Sequence, residues 1–529
     1  MQEFLKKYGL VVILAAGLFL FSYGNSRLVL GSDELYRARS LVGDDWSLTT
    51  FPWPEQAVRE QFNHWPMHTP PLFGWLSRLA VVVWRDVHFS LRFWPLIFAV
   101  LATALSYVVY RNYYGKAYAL FAPLLLGLAS DEMLVNAKSL KHYTADILLG
   151  FTMLYSAKKI LEKNRAVDWI VLTLCAAVGL WLAFGVVFIA ASVYLVLFIE
   201  LIREVKWKGL FSRKSLKFLV SGLIAAASFL LLYFINMRQA YTNQTFLEHI
   251  SASGMQFFEW SRIADLRYVL YFLARLGYQT FMLAHFFFHD SYALAVMLNG
   301  LMLVWLYSRI RERQWREVGL LLLPLGFAMV SAFAGKYPFT ANRLLLFLLP
   351  MWVMMIAFGI EKTTEWFRHK NDFAGKIWLL VIWVMLAVGI VSNVDKVLKL
   401  KFAGGRRVDQ TVAKLLERAH DGDTVYLHWG AILPFYIYGT DHRAGYEDEY
   451  PLPGDAGKIR VLYGEEHLLH LENFDQDIRR VIATPGRVWV MFCHRWPDED
   501  MLLLKKRLDD SRHLSEEHLF KGCQLLLYE

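Results

Sequence analysis

Through residues 1–399, apolar positions come in long unbroken runs separated by short polar islands. The runs lie at 9–29, 90–110, 117–130, 143–157, 167–183, 185–202, 216–236, 291–308, 317–334, 342–360 and 377–394. A hydrocarbon core is crossed by a helix of about 20 such residues, so the pattern predicts about eleven membrane spans. Two runs, at 117–130 and 143–157, fall short of that length and need neighbouring helices or their polar flanks to complete the crossing. A further stretch, 266–288, is interrupted by Arg275, Gln279 and His285 and reads as an interfacial or re-entrant helix.

Beyond Gly404-Gly405 the pattern changes. Short apolar runs at 424–428, 460–463, 487–492 and 523–528 predict buried strands, and amphipathic stretches at 408–419, 471–482 and 498–508 predict helices between them. The expected fold class is therefore mainly α: a polytopic transmembrane helical bundle (1–399) followed by a small C-terminal α/β domain (400–529) outside the membrane. That tail has no glycine-rich phosphate loop and no nucleophile elbow, so it is expected to be structural or acceptor-recognising.

Composition agrees with a life in lipid: 56% of residues are hydrophobic, 16% aromatic and only 19% charged. The formal charge of +9 does not form one basic face, which argues against a nucleic-acid partner. Instead the cations cluster between runs, at Lys6/Lys7, Arg111/Lys116, Lys158–Arg165, Arg203–Lys217, Arg309–Arg316 and Lys362–Lys376. All these clusters fall on one side if 266–288 does not cross, and Lys and Arg accumulate on the cytoplasmic side. The loops 30–89, 131–142, 237–290 and 335–341 and the tail then face out. Lys6 and Lys7 ahead of an apolar run resemble a signal peptide, but no small-x-small cleavage site follows, and a retained first helix is expected. Three cysteines exclude a disulfide framework and leave one bridge open, Cys493 to Cys523.

The candidate chemistry lies in the loops assigned to the outer face. Asp33-Glu34 follows the first run within Gly31–Arg39; such a carboxylate can act as a general base or bind a divalent cation, while Ser32 followed by acids also reads as a helix N-cap. His64 and His68 flank Pro66, which makes a regular two-histidine helical metal site a weak reading. The second outer loop holds another acidic pair, Asp131-Glu132, then Lys138, Lys141 and, entering the next span, Asp146. Lys336, Tyr337 and Arg343 sit at the outer end of a span, where Arg343 can grip a phosphate with its planar fork or snorkel to lipid headgroups. Asn243-Gln244-Thr245 fits a glycosylation sequon and is expected to be coincidental.

Taken in order, Asp33-Glu34, His68-Thr69-Pro70-Pro71-Leu72, Ser90-Leu91-Arg92-Phe93-Trp94-Pro95, Lys141-His142-Tyr143-Thr144-Ala145-Asp146 and Tyr337-Pro338 through Arg343 to Leu349-Pro350 resemble the GT-C superfamily, across nearly the whole chain. The resemblance is to the bacterial branch related to protein O-mannosyltransferases and to the aminoarabinose transferase of lipid A. It implies an inverting glycosyltransferase of the bacterial inner membrane. The donor is a polyprenyl-phosphate-linked sugar and the acceptor a lipid, glycan or protein on the extracytoplasmic face. It further implies Asp33 as general base, with Lys141, Arg343 and Arg37 or Lys336 holding the phosphate, and a substrate or cation role for Asp131 and Glu132. The chain departs from the aminoarabinose transferases at His68-Thr69-Pro70, where those carry a Glu-Lys-Pro stretch, so a metal or phosphate site does not transfer there. The competing expectations are a transporter or lipid-linked sugar flippase, which places ionisable groups at the bilayer midplane and shows internal repeats, and a membrane-anchored scaffold.

Overall fold

The computed structural model describes residues 2–25, 70–84, 87–205, 212–238, 258, 260–288, 291–399, 408–439, 449–453, 456–464, 471–493, 498–520 and 522–529. These residues divide into two compact units: 2–25, 70–77 and 92–399 form the first, while 78–91 and the chain beyond 400 belong to the second.

Among the described residues, helical segments occur in each expected apolar stretch. They are α1 (Gln2–Ser22), α2 (Pro71–Trp84), α3 (Val87–Tyr114), a short α4 (Phe121–Leu124), α5 (Asp131–Ala137), α6 (Tyr143–Lys163), α7 (Ala166–Ala177) and α8 (Gly179–Leu182). They continue with α9 (Val186–Val205), α10 (Arg213–Leu232), α11 (Leu266–Phe288), α12 (Tyr292–Arg311), α13 (Trp315–Phe333), α14 (Leu349–Lys370) and α15 (Asp372–Leu398). Among the described residues, seven helical stretches are long and apolar enough to cross a bilayer, starting at Phe89, Val186, Arg213, Tyr292, Trp315, Arg343 and Asp372. The chain is an integral membrane protein. The run at 117–130 is no single helix: α4 passes into a π turn over Leu125–Ala129. The stretch 266–288 is one continuous helix and is not among the seven.

Burial sorts the helices of the first unit. In α14 the side chains from Leu349 to Glu361 are buried all round, as expected of a helix that is apolar on every face and surrounded by others. It packs so closely on α12 that a Cβ on Gly359 would collide with the Leu301 carbonyl. By contrast, α10 exposes Leu216, Leu219, Val220, Leu223 and Ile224, and α15 exposes Leu380, Val384, Val388 and Val391. Apolar surface of that extent belongs in lipid. Arg309 closes one end of the bundle, 3.0 Å from Glu312 and 3.6 Å from Glu317, with its guanidinium 4.0 Å from the Phe358 ring centroid.

The second unit contains α16 (Val408–Arg418), β1 (Thr424–Leu427), α17 (Trp429–Gly439), β2 (Glu449–Pro451), β3 (Lys458–Tyr463), α18 (Leu471–Ala483), β4 (Val488–Phe492), α19 (Asp498–Asp509), β5 (Leu514–Phe520) and β6 (Cys523–Tyr528). They build a six-stranded sheet of order β2-β3-β1-β4-β6-β5, with β1 parallel to both β3 and β4 and the other pairings antiparallel. The period-2 alternation divides its sides. Val425 and Leu427 face Val412, Leu415 and Phe435 of α16 and α17, while Tyr426 faces Ile478 and Val481 of α18 and Leu504 of α19. Sequence pattern finds four of the six strands; β2, β5 and α17 are additional. The β4–β6 register puts Cys493 opposite Cys523 in one core, yet no disulfide joins them in the structure.

Candidate active site

Asp33, Glu34, Arg37 and His68, together with His64 and the 243–245 sequon, lie outside the described residues. The second acidic pair, Lys141, Lys336, Tyr337 and Arg343 are described, and all belong to the first unit.

The acidic pair opens α5. Ser130 is the N-cap, its hydroxyl accepting from the Met133 amide at 3.2 Å and donating to the Phe287 carbonyl at 2.8 Å. Asp131 and Glu132 are therefore first-turn acids at the positive end of a helix. Their surroundings separate them. Asp131 forms an ion pair with Lys396 of α15, Nζ to Oδ2 at 2.5 Å. Glu132 is half-buried, and its Oε2 accepts from the Asn136 amide one helical turn on, at 2.9 Å. Burial, with the negative charge of Asp131 beside it, pushes the Glu132 carboxyl up to about 7, against the opposing pull of Asn136, Lys141 and Arg343. Glu132 thus responds to two cations that come from different parts of the chain, buried Lys141 after α5 and exposed Arg343 after α13.

The segment after Lys141 is buried through Asp146. The His142 ring sits among Phe73, Tyr143 and Phe184, with centroids 4.6–6.1 Å away. Asp146 is 2% exposed, and its carboxyl group lies against the Gly185 and Val186 amides at the start of α9. Gly185 is required there, because a Cβ would stand 2.7 Å from Asp146 Oδ1 and from Phe347.

Arg343 is placed by the turn before it. The Gln279 side chain of α11 accepts from the Ala341 amide at 2.7 Å, and the Asn342 side chain accepts from the Leu344 amide at 2.9 Å. Tyr337 donates its hydroxyl to the Leu344 carbonyl at 2.7 Å, and its ring packs on Phe188. Tyr337 therefore braces the turn that carries Arg343. Lys336 is exposed, on the same turn.

The described acids do not suit a divalent cation: Asp131 is neutralised by Lys396, and Glu132 answers to Lys141 and Arg343. Among the described residues no three metal-ligating side chains come together. The arrangement fits an oxyanion instead, since the charges of two cations from separate segments, Lys141 and Arg343, both act on the Glu132 carboxyl. Sequence reasoning missed Lys396 and Asn136. Asn136 had a local signal, lying four residues after Glu132 on a helix; Lys396, 265 residues from Asp131, had none.

Residues 68–230 match the family model described as dolichyl-phosphate-mannose-protein mannosyltransferase. Curated protein sequences give no match. Among solved structures the chain is similar to the Archaeoglobus fulgidus oligosaccharyltransferase with Zn and sulfate, at 15% identity and a TM-score of 0.51 over 82% of this chain and 61% of that one. It is also similar to the same organism's AglB in complex with an inhibitory peptide and a dolichol-phosphate, at 13% identity and TM-score 0.53 over 95% and 72%. A third is ArnT from Cupriavidus metallidurans in the apo state, at 12% identity and TM-score 0.51 over 98% and 97%. The chain thus spans less than two thirds of the first of these proteins and nearly all of the third.

Proposed function

We propose that this chain, an integral membrane protein of the GT-C glycosyltransferase fold, moves a sugar from a polyprenyl-phosphate donor to a lipid, glycan or protein hydroxyl. That Lys141 and Arg343, from separate segments, both act electrostatically on Glu132 carries the reading, because a lipid phosphate leaving group needs fixed cations where its charge develops. The likeness to AglB, whose structure holds a dolichol-phosphate, supports a lipid-linked donor.

In the reaction, Asp33 takes the proton of the acceptor hydroxyl. The oxygen attacks the sugar's anomeric carbon from the face opposite the phosphate. A carbon–oxygen bond forms, the bond to phosphate breaks, and the configuration inverts. The lipid monophosphate leaves carrying the electron pair, and Lys141 and Arg343 bind the charge it gains. Arg37 and Lys336 lie in the two loops that would face that phosphate, and Glu34 and His68 are substrate-binding residues of the first outer loop. Tyr337 holds Arg343 in place by its hydrogen bond to Leu344. The reaction lies on the extracytoplasmic side of the bacterial inner membrane, with residues 400–529 on the same side and the Lys- and Arg-rich loops in the cytoplasm.

The test is transfer in proteoliposomes containing a polyprenyl-phosphate sugar labelled in the sugar. The expected result is bare polyprenyl phosphate appearing together with labelled acceptor, reduced by about 10²–10⁴-fold in Asp33→Asn at unchanged membrane insertion. Movement of the intact donor between leaflets without any labelled acceptor would mark a flippase and overturn the proposal.

A further inference from the structure

Cys493 and Cys523 take no part in the glycosyltransfer reading, yet the sheet of the second unit sets them side by side. β4 and β6 pair antiparallel from Val488 opposite Tyr528 to Phe492 opposite Gln524. One further step in the same register brings Cys493 opposite Cys523. Their side chains share one face of the sheet, in the core that also takes Trp489 and Met491 from β4 and Leu525 and Leu527 from β6. Both are buried, at 1% and 6% exposed.

The backbone hydrogen bonds decide which kind of pair this is. Toward β1, the Arg487 and Met491 carbonyls accept from the Thr424 and His428 amides at 3.0 and 3.1 Å. Alternate residues of the β4 chain, Cys493 among them, therefore turn their backbone polar groups toward β1 and away from β6. On the other side, Glu529 and His513 exchange backbone bonds at 2.9 and 3.2 Å, so alternate residues of the β6 chain, Cys523 among them, turn toward β5. Cys493 and Cys523 thus form a non-hydrogen-bonded antiparallel pair, the kind in which Cα atoms stand about 4.5 Å apart and side chains approach closest. Disulfides span Cα separations of about 4.4–6.8 Å, which includes this one. The remaining cysteine, Cys175, lies on α7 in the first unit.

We propose that Cys493 and Cys523 are joined by a disulfide in the cell, a staple that closes the segment carrying α19 and β5 onto β4. The proposal rests on the orientation given above, which puts residues 400–529 in the oxidising extracytoplasmic space. The two thiols lose two protons and two electrons, one sulfur–sulfur bond forms, and a disulfide-bearing oxidant of that compartment is reduced to its dithiol. Exchange needs access to sulfur, so it takes place as the domain folds, before β4 and β6 bury the pair. The staple meets a weakness of the sheet: β5 is an edge strand and reaches the other strands through β6. Tying β6 to β4 closes a loop in the unfolded chain and so stabilises the whole edge.

The experiment traps thiols in cells that produce the full-length protein. A small maleimide blocks every reduced thiol during denaturing lysis, and a heavy maleimide added after reduction marks the sulfurs that had been bridged. Heavy label is expected on both Cys493 and Cys523 in wild type, and on Cys523 no longer in Cys493→Ser. Reductant present through a thermal melt should lower the wild-type Tm by about 5 °C or more and leave that of Cys493→Ala/Cys523→Ala unchanged. Blocking of both sulfurs by the small maleimide in wild type overturns the staple. Diamide oxidation of that same protein then identifies the premise at fault. A bridge formed by diamide places the tail in a reducing compartment, against the orientation, whereas thiols that stay reduced refute the geometry of the pair. Because the assay reads no sugar transfer, failure of the glycosyltransfer reading leaves its outcome intact.

Discussion

Asp131, the first residue of α5, and Lys396, in the last turn of α15, form an ion pair at 2.5 Å. The pair ties up one of two adjacent carboxylates, while the other, Glu132, feels the charges of Lys141 and Arg343. With side chains 15% and 28% exposed, it is neither a solvated surface pair nor a fully buried one. A double-mutant cycle on Asp131→Asn and Lys396→Met, read by thermal unfolding in detergent, should give a coupling of about 1–2 kcal/mol. Lys396→Met alone should also raise the donor KM, because an unpaired Asp131 then competes with the phosphate for Lys141 and Arg343.

Glu132 makes the protein pH-sensitive in a defined direction. Its carboxyl sits at about 7 in the fold, above the ordinary 4.5, so the folded state favours the protonated form. That contribution is complete below about pH 4.5 and is lost as pH rises through about 7, a change of about 3 kcal/mol. Thermal stability should therefore fall across this window in wild type and fall less in Glu132→Gln. Donor KM should rise above pH 7 in wild type, where ionised Glu132 competes for the same cations, and stay level in the variant.

Gly185 tests the packing behind the site. Alanine there places a methyl group 2.7 Å from Asp146 Oδ1 and Phe347 Cβ. Overpacking of this kind costs about 1–3 kcal/mol, so Gly185→Ala should lower the melting temperature. Asp146→Asn, which keeps the shape and an acceptor for the Gly185 and Val186 amides, should lower the melting temperature less than Gly185→Ala does.

These sites differ in how far sequence exposes them. The bundle is legible because a spanning helix must satisfy its backbone internally and present apolar side chains, which leaves long runs. β1, β4 and β6 are legible for a similar reason, being buried on both faces. Strand β5, at the sheet edge, is not: only alternate residues of Leu-Ser-Glu-Glu-His-Leu-Phe are partly buried, and the polar ones mask the period. Helix α17 reads Trp-Gly-Ala-Ile-Leu-Pro-Phe-Tyr-Ile-Tyr-Gly, apolar throughout and broken by Pro434, so no helical period stands out. Lys141, Glu132 and Arg343 stand out as polar islands at span ends. Lys396 does not, because its partner Asp131 lies 265 residues away and the two meet only through the fold.

The central claim is a lipid-phosphate site on Lys141 and Arg343, and the affinity of the purified protein for bare polyprenyl monophosphate measures it most directly. Lys141→Met and Arg343→Gln should each weaken binding about 10-fold or more, the worth of one charge-assisted contact to phosphate. Wild-type affinity in both variants would contradict the account.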